Sequence, residues 1–175
     1  MKHIFYHLTA VMVVVVWGMT FISTKVLIVH GLSPQEIFLF RFLLAYVAVC
    51  PISSHSFFAR NLKDELCLAG GGVLGGSLFF FLQNMALGLT QASNVSFIIC
   101  TAPLLTAVLT VLSVRTEKVS RGFIYGSIVA LLGVGLLIFN GSFILRISPL
   151  GDLLTLLASL SWAFYSLVIR SLTRK

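Results

Sequence analysis

Lys25 and Arg41 are the two basic side chains set inside long apolar stretches of this sequence, and both fall toward the same end of neighbouring stretches. An ionised group at the centre of a bilayer costs about 2.5 to 3.5 kcal/mol on insertion scales and less near an interface, so each needs a reason to be there. One reason is snorkelling, with the aliphatic stem in the apolar layer and the charge reaching the interface. The other is a shared cavity whose positive potential attracts a carboxylate or phosphate on a small molecule. Gln83, Asn84, Asn94 and Thr101 add uncharged hydrogen-bonding groups at membrane depth. Such groups bridge helices, at about 0.6 kcal/mol each, or line a cavity. Pro103 has no N–H, so a carbonyl in the preceding turn is freed, to be met by a side chain such as Thr101 or by a wet cavity. Trp17 and Trp162 lie about half-way along their stretches, too deep for an interfacial belt, and either pack in the core or line that cavity. All nine residues are candidate solute contacts.

Other chemistries lack their residues. There is no HExxH, no GxSxG and no Walker loop, and no Asp or Glu lies well inside an apolar stretch. His3, His7, His30 and His55 sit at ends or connectors, and Cys50, Cys67 and Cys100 show no CxxC spacing. An enzyme, a metal site and a bound cofactor are therefore not expected. The net charge of +7 is scattered over ends and connectors without interleaved aromatics, so nucleic acid is not an expected partner either. Asn140-Gly-Ser142 and Asn94-Val-Ser96 match glycosylation sequons, and both read as accidental.

The elements that must hold these residues are set by the solvent. Hydrophobic residues make up 58% of the chain and charged ones only 10%, against roughly 25% in a soluble domain, and mean hydropathy is +1.06. A water-facing surface cannot be covered with so few charges. Apolar blocks fall near residues 8–28, 35–52, 66–88, 92–113, 121–140 and 150–170, each close to the ~30 Å of hydrocarbon a helix must cross. The blocks are apolar on every side rather than alternating, which excludes barrel strands and leaves helices, whose backbone groups are satisfied internally. The run from His7 to Ile28 is too long for the apolar core of a signal peptide. The expected fold is all-α, a polytopic bundle of about six transmembrane helices joined by short connectors.

Basic residues orient the bundle. With the N-terminus cytoplasmic, Lys2, Arg60, Lys63, Arg115, Lys118, Arg121, Arg170, Arg174 and Lys175 fall inside and only Arg146 falls in an outer connector. Both termini are thus expected in the cytoplasm, in a multi-pass protein of the cell membrane. Gly71 with Gly75, Gly72 with Gly76, and Gly122 with Gly126 form GxxxG pairs that let helices approach closely, within the chain or between copies.

The chain also repeats itself. Trp17-Gly-Met-Thr-Phe-Ile-Ser-Thr-Lys25 and Trp162-Ala-Phe-Tyr-Ser-Leu-Val-Ile-Arg170 each set a tryptophan eight residues before a cation, at the matching place in the first and sixth blocks. Five helices separate the copies. An odd number inserts the second copy upside down, the inverted-repeat plan of secondary transporters.

Several further pieces fall in a characteristic order. Trp17-Gly18 precedes Lys25, Pro34 is followed by Arg41-Phe42-Leu43-Leu44-Ala45, and Ala86-Leu87-x-x-Thr90-x-Ala92 leads into Thr101-x-Pro103. Glu117 and Gly133-Val134 follow, and Gly151-Asp152-Leu153 to Trp162-Ala163 opens a second round. In this order and spacing the chain resembles the EamA-type members of the drug/metabolite transporter superfamily, over essentially its whole length. The resemblance implies a first five-helix repeat over residues 1–146 and the first helix of an inverted second repeat over 147–175. It implies a carrier or exporter of a small metabolite or drug, with the lipid bilayer and a small-molecule substrate as partners. A structural or accessory membrane subunit without transport activity is the alternative. Similar proteins continue for about four more helices, so a truncated chain is expected, with an unpartnered sixth helix, rather than two copies assembling.

Overall fold

A computed structural model describes residues 2–52, 61–113, 120–139 and 148–173. The regular elements among them are all helical: α1 (Lys2–Val29), α2 (Pro34–Val49), α3 (Leu62–Leu89), α4 (Ala92–Ser113), α5 (Arg121–Phe139) and α6 (Pro149–Thr173). The connectors that carry His55, Arg60, Arg115, Glu117, Lys118, Asn140 and Arg146, and the terminal Arg174 and Lys175, lie outside the described residues. Of the expected spans, α1, α3, α4 and α6 are long and apolar enough to cross a membrane. The apolar stretch Arg121–Gly133 of α5 is shorter, and α2, with 16 residues, rises only about 24 Å.

Local chemistry sets the boundaries. Gly31 takes a φ of +100°, closed to most side chains, and turns the chain out of α1. Two residues later Ser33 caps α2: its hydroxyl accepts from the Glu36 N–H at 3.3 Å, while the Glu36 carboxylate accepts from the Ser33 N–H at 2.8 Å. Pro34 fits the first turn, where no N–H is needed. Pro149 opens α6 in the same way, with Asp152 in its first turn.

Two spans expected as plain helices are not regular. In α3 the glycine-rich stretch Gly72–Leu78 is a π-helix, whose i→i+5 bonds widen the turn. In a pure α-helix every fourth residue drifts around the axis. The wider turn offsets that drift, so Gly71, Gly75, Phe79, Gln83 and Leu87 stay on one buried face. In α4 the helix breaks at Cys100–Thr101, between arms Ala92–Ile99 and Ala102–Ser113. Pro103 cannot donate to the Ile99 carbonyl, and that is the physical reason for the break.

The buried face of α3 receives α6 running antiparallel. Gly71 lies beside Ile169 and Tyr165, Gly75 against the Tyr165 ring, Phe79 against Trp162, and Thr90 against Gly151. The Ser161 hydroxyl donates to the Leu74 carbonyl at 2.8 Å, tying the two backbones mid-span. On α6 the contact is made by small residues, with Gly151, Thr155, Ala158, Ser159 and Ala163 all buried. The expectation of an unpartnered sixth helix is therefore corrected: α6 packs on both α3 and α4 as the central helix of the bundle. Small residues allow the close approach, which in lipid is made by packing contacts rather than by a hydrophobic drive. Elsewhere the surface is apolar: Val11, Met12, Val15 and Leu44 are well exposed on α1 and α2, as bilayer-facing residues are.

Candidate functional site

Trp17 of α1 stacks on Trp162 of α6, with ring centroids 5.8 Å apart and planes inclined by 29°. The two residues matched by the internal repeat thus meet each other. Phe79 of α3 packs against both, 4.9 Å from Trp162 and 6.5 Å from Trp17, and Phe21 and Tyr165 extend the cluster. Aromatic pairs at such distances contribute about 0.5 to 1.5 kcal/mol beyond their burial, so this is a firm junction.

Three clefts converge on it, and Trp162 lines each of them. The first, about 620 Å³, runs between α4, α5 and α6, lined by Pro103, Thr106, Thr110, Phe123, Ser166 and Arg170 besides Trp162. It lies toward the end at which α5 starts and α4 and α6 finish. The second, about 320 Å³, lies beside the break in α4 and touches Trp17, Ile99, Cys100, Pro103 and Ser127. The third, about 680 Å³, is a groove along α1 lined by Val13, Val16, Trp17, Thr20, Arg41 and Phe80.

Toward the other end the bundle is packed. Phe21, Phe79, Ala86, Leu87, Val95, Ile99 and Ala158 form a buried core there. Lys25 ties its rim: the ammonium donates to the carbonyl of Leu87 in the last turn of α3 at 2.6 Å and to that of Thr90, its C-cap, at 2.8 Å. A cation at a helix C-terminus meets both unsatisfied carbonyls and the negative end of the dipole. The Thr90 hydroxyl donates to Asp152 at 3.5 Å and accepts from Asn94 at 3.4 Å, joining α4 and α6 to the same knot.

The candidates chosen from sequence therefore divide. Trp17, Arg41, Pro103 and Trp162 line the clefts. Lys25 and Arg41, for which a shared cavity is one of two readings beside snorkelling, are not together in any of these three. Arg41 points Nη2 at the Thr20 hydroxyl, 3.3 Å away, holds its guanidinium 4.6 Å above the Phe80 ring, and has a buried Nη1 with no hydrogen-bond partner. Asn84 donates to the Pro34 carbonyl at 3.4 Å, bridging α3 to α2. Gln83 is fully buried on the α3 face toward α6, with neither end of its amide hydrogen-bonded. Thr101 donates to the Ile98 carbonyl at 2.6 Å, not to the Ile99 carbonyl that Pro103 leaves without its helical donor. Residues not singled out from sequence, Thr106, Thr110 and Ser166, prove to line the 620 Å³ cleft. The readable signal was Thr106 and Thr110 one turn apart just beyond a mid-span proline.

A helical membrane bundle in which two sequence-related helices cross at the meeting point of several clefts has the construction of a membrane transporter. The chain belongs to the EamA-like transporter family, which it matches over residues 4–139. No curated relative and no solved structure matches the chain. Membership makes a lipid bilayer and a small-molecule substrate its partners.

Proposed function

We propose that this chain serves as a carrier or exporter of a small metabolite or drug, and that the solute's path runs through the clefts meeting at Trp162. The observation that carries this reading is the junction itself: a stacked tryptophan pair between a packed end and a cleft-bearing end. A path closed on one side and accessible on the other is what alternating access requires of each state. Lys2, Lys63, Arg121 and Arg170 fall at the cleft-bearing end, and the positive-inside bias supports a cytoplasmic location for that end and both termini. Residues 1–146 then form one repeat, and residue 147 begins an inverted second. Gly122 and Gly126, with nothing within 4 Å of a Cβ added at either, leave α5 a face for self-association.

The test is flux in proteoliposomes loaded with radiolabelled amino acids, amides and aromatic acids. Saturable efflux of at least one solute, lost in Trp162→Ala but kept in Trp162→Phe, supports the proposal. Absence of saturable flux for every solute, with the protein inserted and folded, overturns it in favour of an accessory membrane subunit.

Arg41 supports a second contact. Its unpartnered Nη1 in the groove along α1 can take the carboxylate or phosphate of an acidic solute, with Phe80 and Thr20 holding the guanidinium in place. Lys25, committed to two carbonyls, is the less suited of the two cations.

A further inference from the structure

Three hydroxyls of the 620 Å³ cleft, on α4 and α6, have little freedom in what they offer. Thr106 donates to the Ala102 carbonyl at 2.8 Å, Thr110 to the Thr106 carbonyl at 2.7 Å, and Ser166 to the Trp162 carbonyl at 2.9 Å. Each carries a single O–H, and each has spent it on its own helix. What remains at each oxygen is lone pairs. The Ser120 hydroxyl accepts from the Phe123 N–H at 3.1 Å, so one of its lone pairs is also engaged. Where this cleft meets the smaller one, Pro103 leaves the Ile99 carbonyl without its helical donor, adding a main-chain acceptor. Trp162 and Phe123 supply apolar faces, and Arg170 also lines the wall.

We infer that this cleft binds aromatic or amide-like solutes through N–H or O–H groups that the solute itself donates. The wall accepts hydrogen bonds along α4 and α6, so a solute without a donor leaves those oxygens dry and unpaired, at the cost of their desolvation. The aromatic faces take the flat body of the solute. This inference rests on the transporter reading for its biological meaning, but binding is measured without transport.

Trp17 and Trp162 are the two tryptophans of the chain, and both stand at the junction, so their emission reports occupancy. The probes are 4-nitroaniline, a neutral N–H donor that absorbs where tryptophan emits, and N,N-dimethyl-4-nitroaniline, which keeps the ring and loses the donors. In purified, detergent-solubilised protein, 4-nitroaniline should quench saturably with a Kd about tenfold below that of the dimethyl compound, the range of one or two net hydrogen bonds. Thr106→Val with Thr110→Val should bring the two affinities together without changing that of the dimethyl probe, and Thr106→Ser with Thr110→Ser should restore the difference. Equal affinities in the unmodified protein, a difference that survives the double valine variant, or no saturable quenching by either probe would each overturn the inference. None of these outcomes bears on the Trp162→Ala flux result, so the two readings fail separately.

Discussion

Two basic residues, alike in the sequence, do different work. Lys25 sits where its ammonium closes two carbonyls at the end of α3, whereas the Arg41 guanidinium spans a ring and a hydroxyl and keeps one nitrogen unpaired. Removing a charged donor from buried carbonyls costs about 1 to 3 kcal/mol. Lys25→Gln is accordingly expected to lower the thermal midpoint of the purified protein while leaving the flux per inserted molecule nearly unchanged. Arg41→Gln should leave the midpoint within about 1 kcal/mol, since it exposes no cluster of carbonyls, and should weaken flux or binding of acidic solutes. A drop in flux with Lys25→Gln at full stability would reverse these assignments. Sequence alone located both residues but left open where they point, because span depth says nothing about which neighbour a long side chain reaches. The same holds for Gln83 and Asn84: their depth was legible, but not that the Gln83 amide is left without partners while Asn84 reaches the Pro34 carbonyl, which depends on how α2, α3 and α6 pack.

At the scale of elements, the sequence carried the number and the helical character of the blocks, because apolar length is a direct demand of the bilayer. It did not carry the irregularities. The glycines at 71, 72, 75 and 76 were read as a close-approach face, and Gly71 and Gly75 are that face, but their spacing alone does not announce the π turn that keeps it aligned. An added Cβ at Gly75 falls 2.5 Å from the Tyr165 ring, and one at Gly151 falls 2.9 Å from the Thr90 Cβ. Gly75→Ala should therefore push α6 away from α3, destabilising by about 1 to 3 kcal/mol, the usual cost of overpacking. The quantity to measure is unfolding in mixed detergent, with Gly126→Ala, in open space, as the neutral comparison. Equal effects from the two substitutions would mean that α6 does not dock on this face. The repeat was legible as a matched nonapeptide, and what it could not reveal is that its two tryptophans stack on each other.

For the whole molecule, membership in the EamA-like transporter family, the cleft between α4, α5 and α6 and the packed core beyond the aromatic junction support the proposed one-sided access. The charge bias legible in the connectors supplies the expected sidedness, while the connectors themselves lie largely outside the described residues. The most direct test of the account is cysteine accessibility in sealed proteoliposomes of known orientation. Cys50, Cys67 and Cys100 are first replaced by serine or alanine, and single cysteines are then placed at Thr106, in the cleft, and at Val95, in the packed core. A water-soluble methanethiosulfonate reagent should modify Thr106→Cys rapidly, from the side that carries the termini, and leave Val95→Cys unmodified. Modification of Val95→Cys as fast as Thr106→Cys, or failure to modify Thr106→Cys from either side, would contradict it.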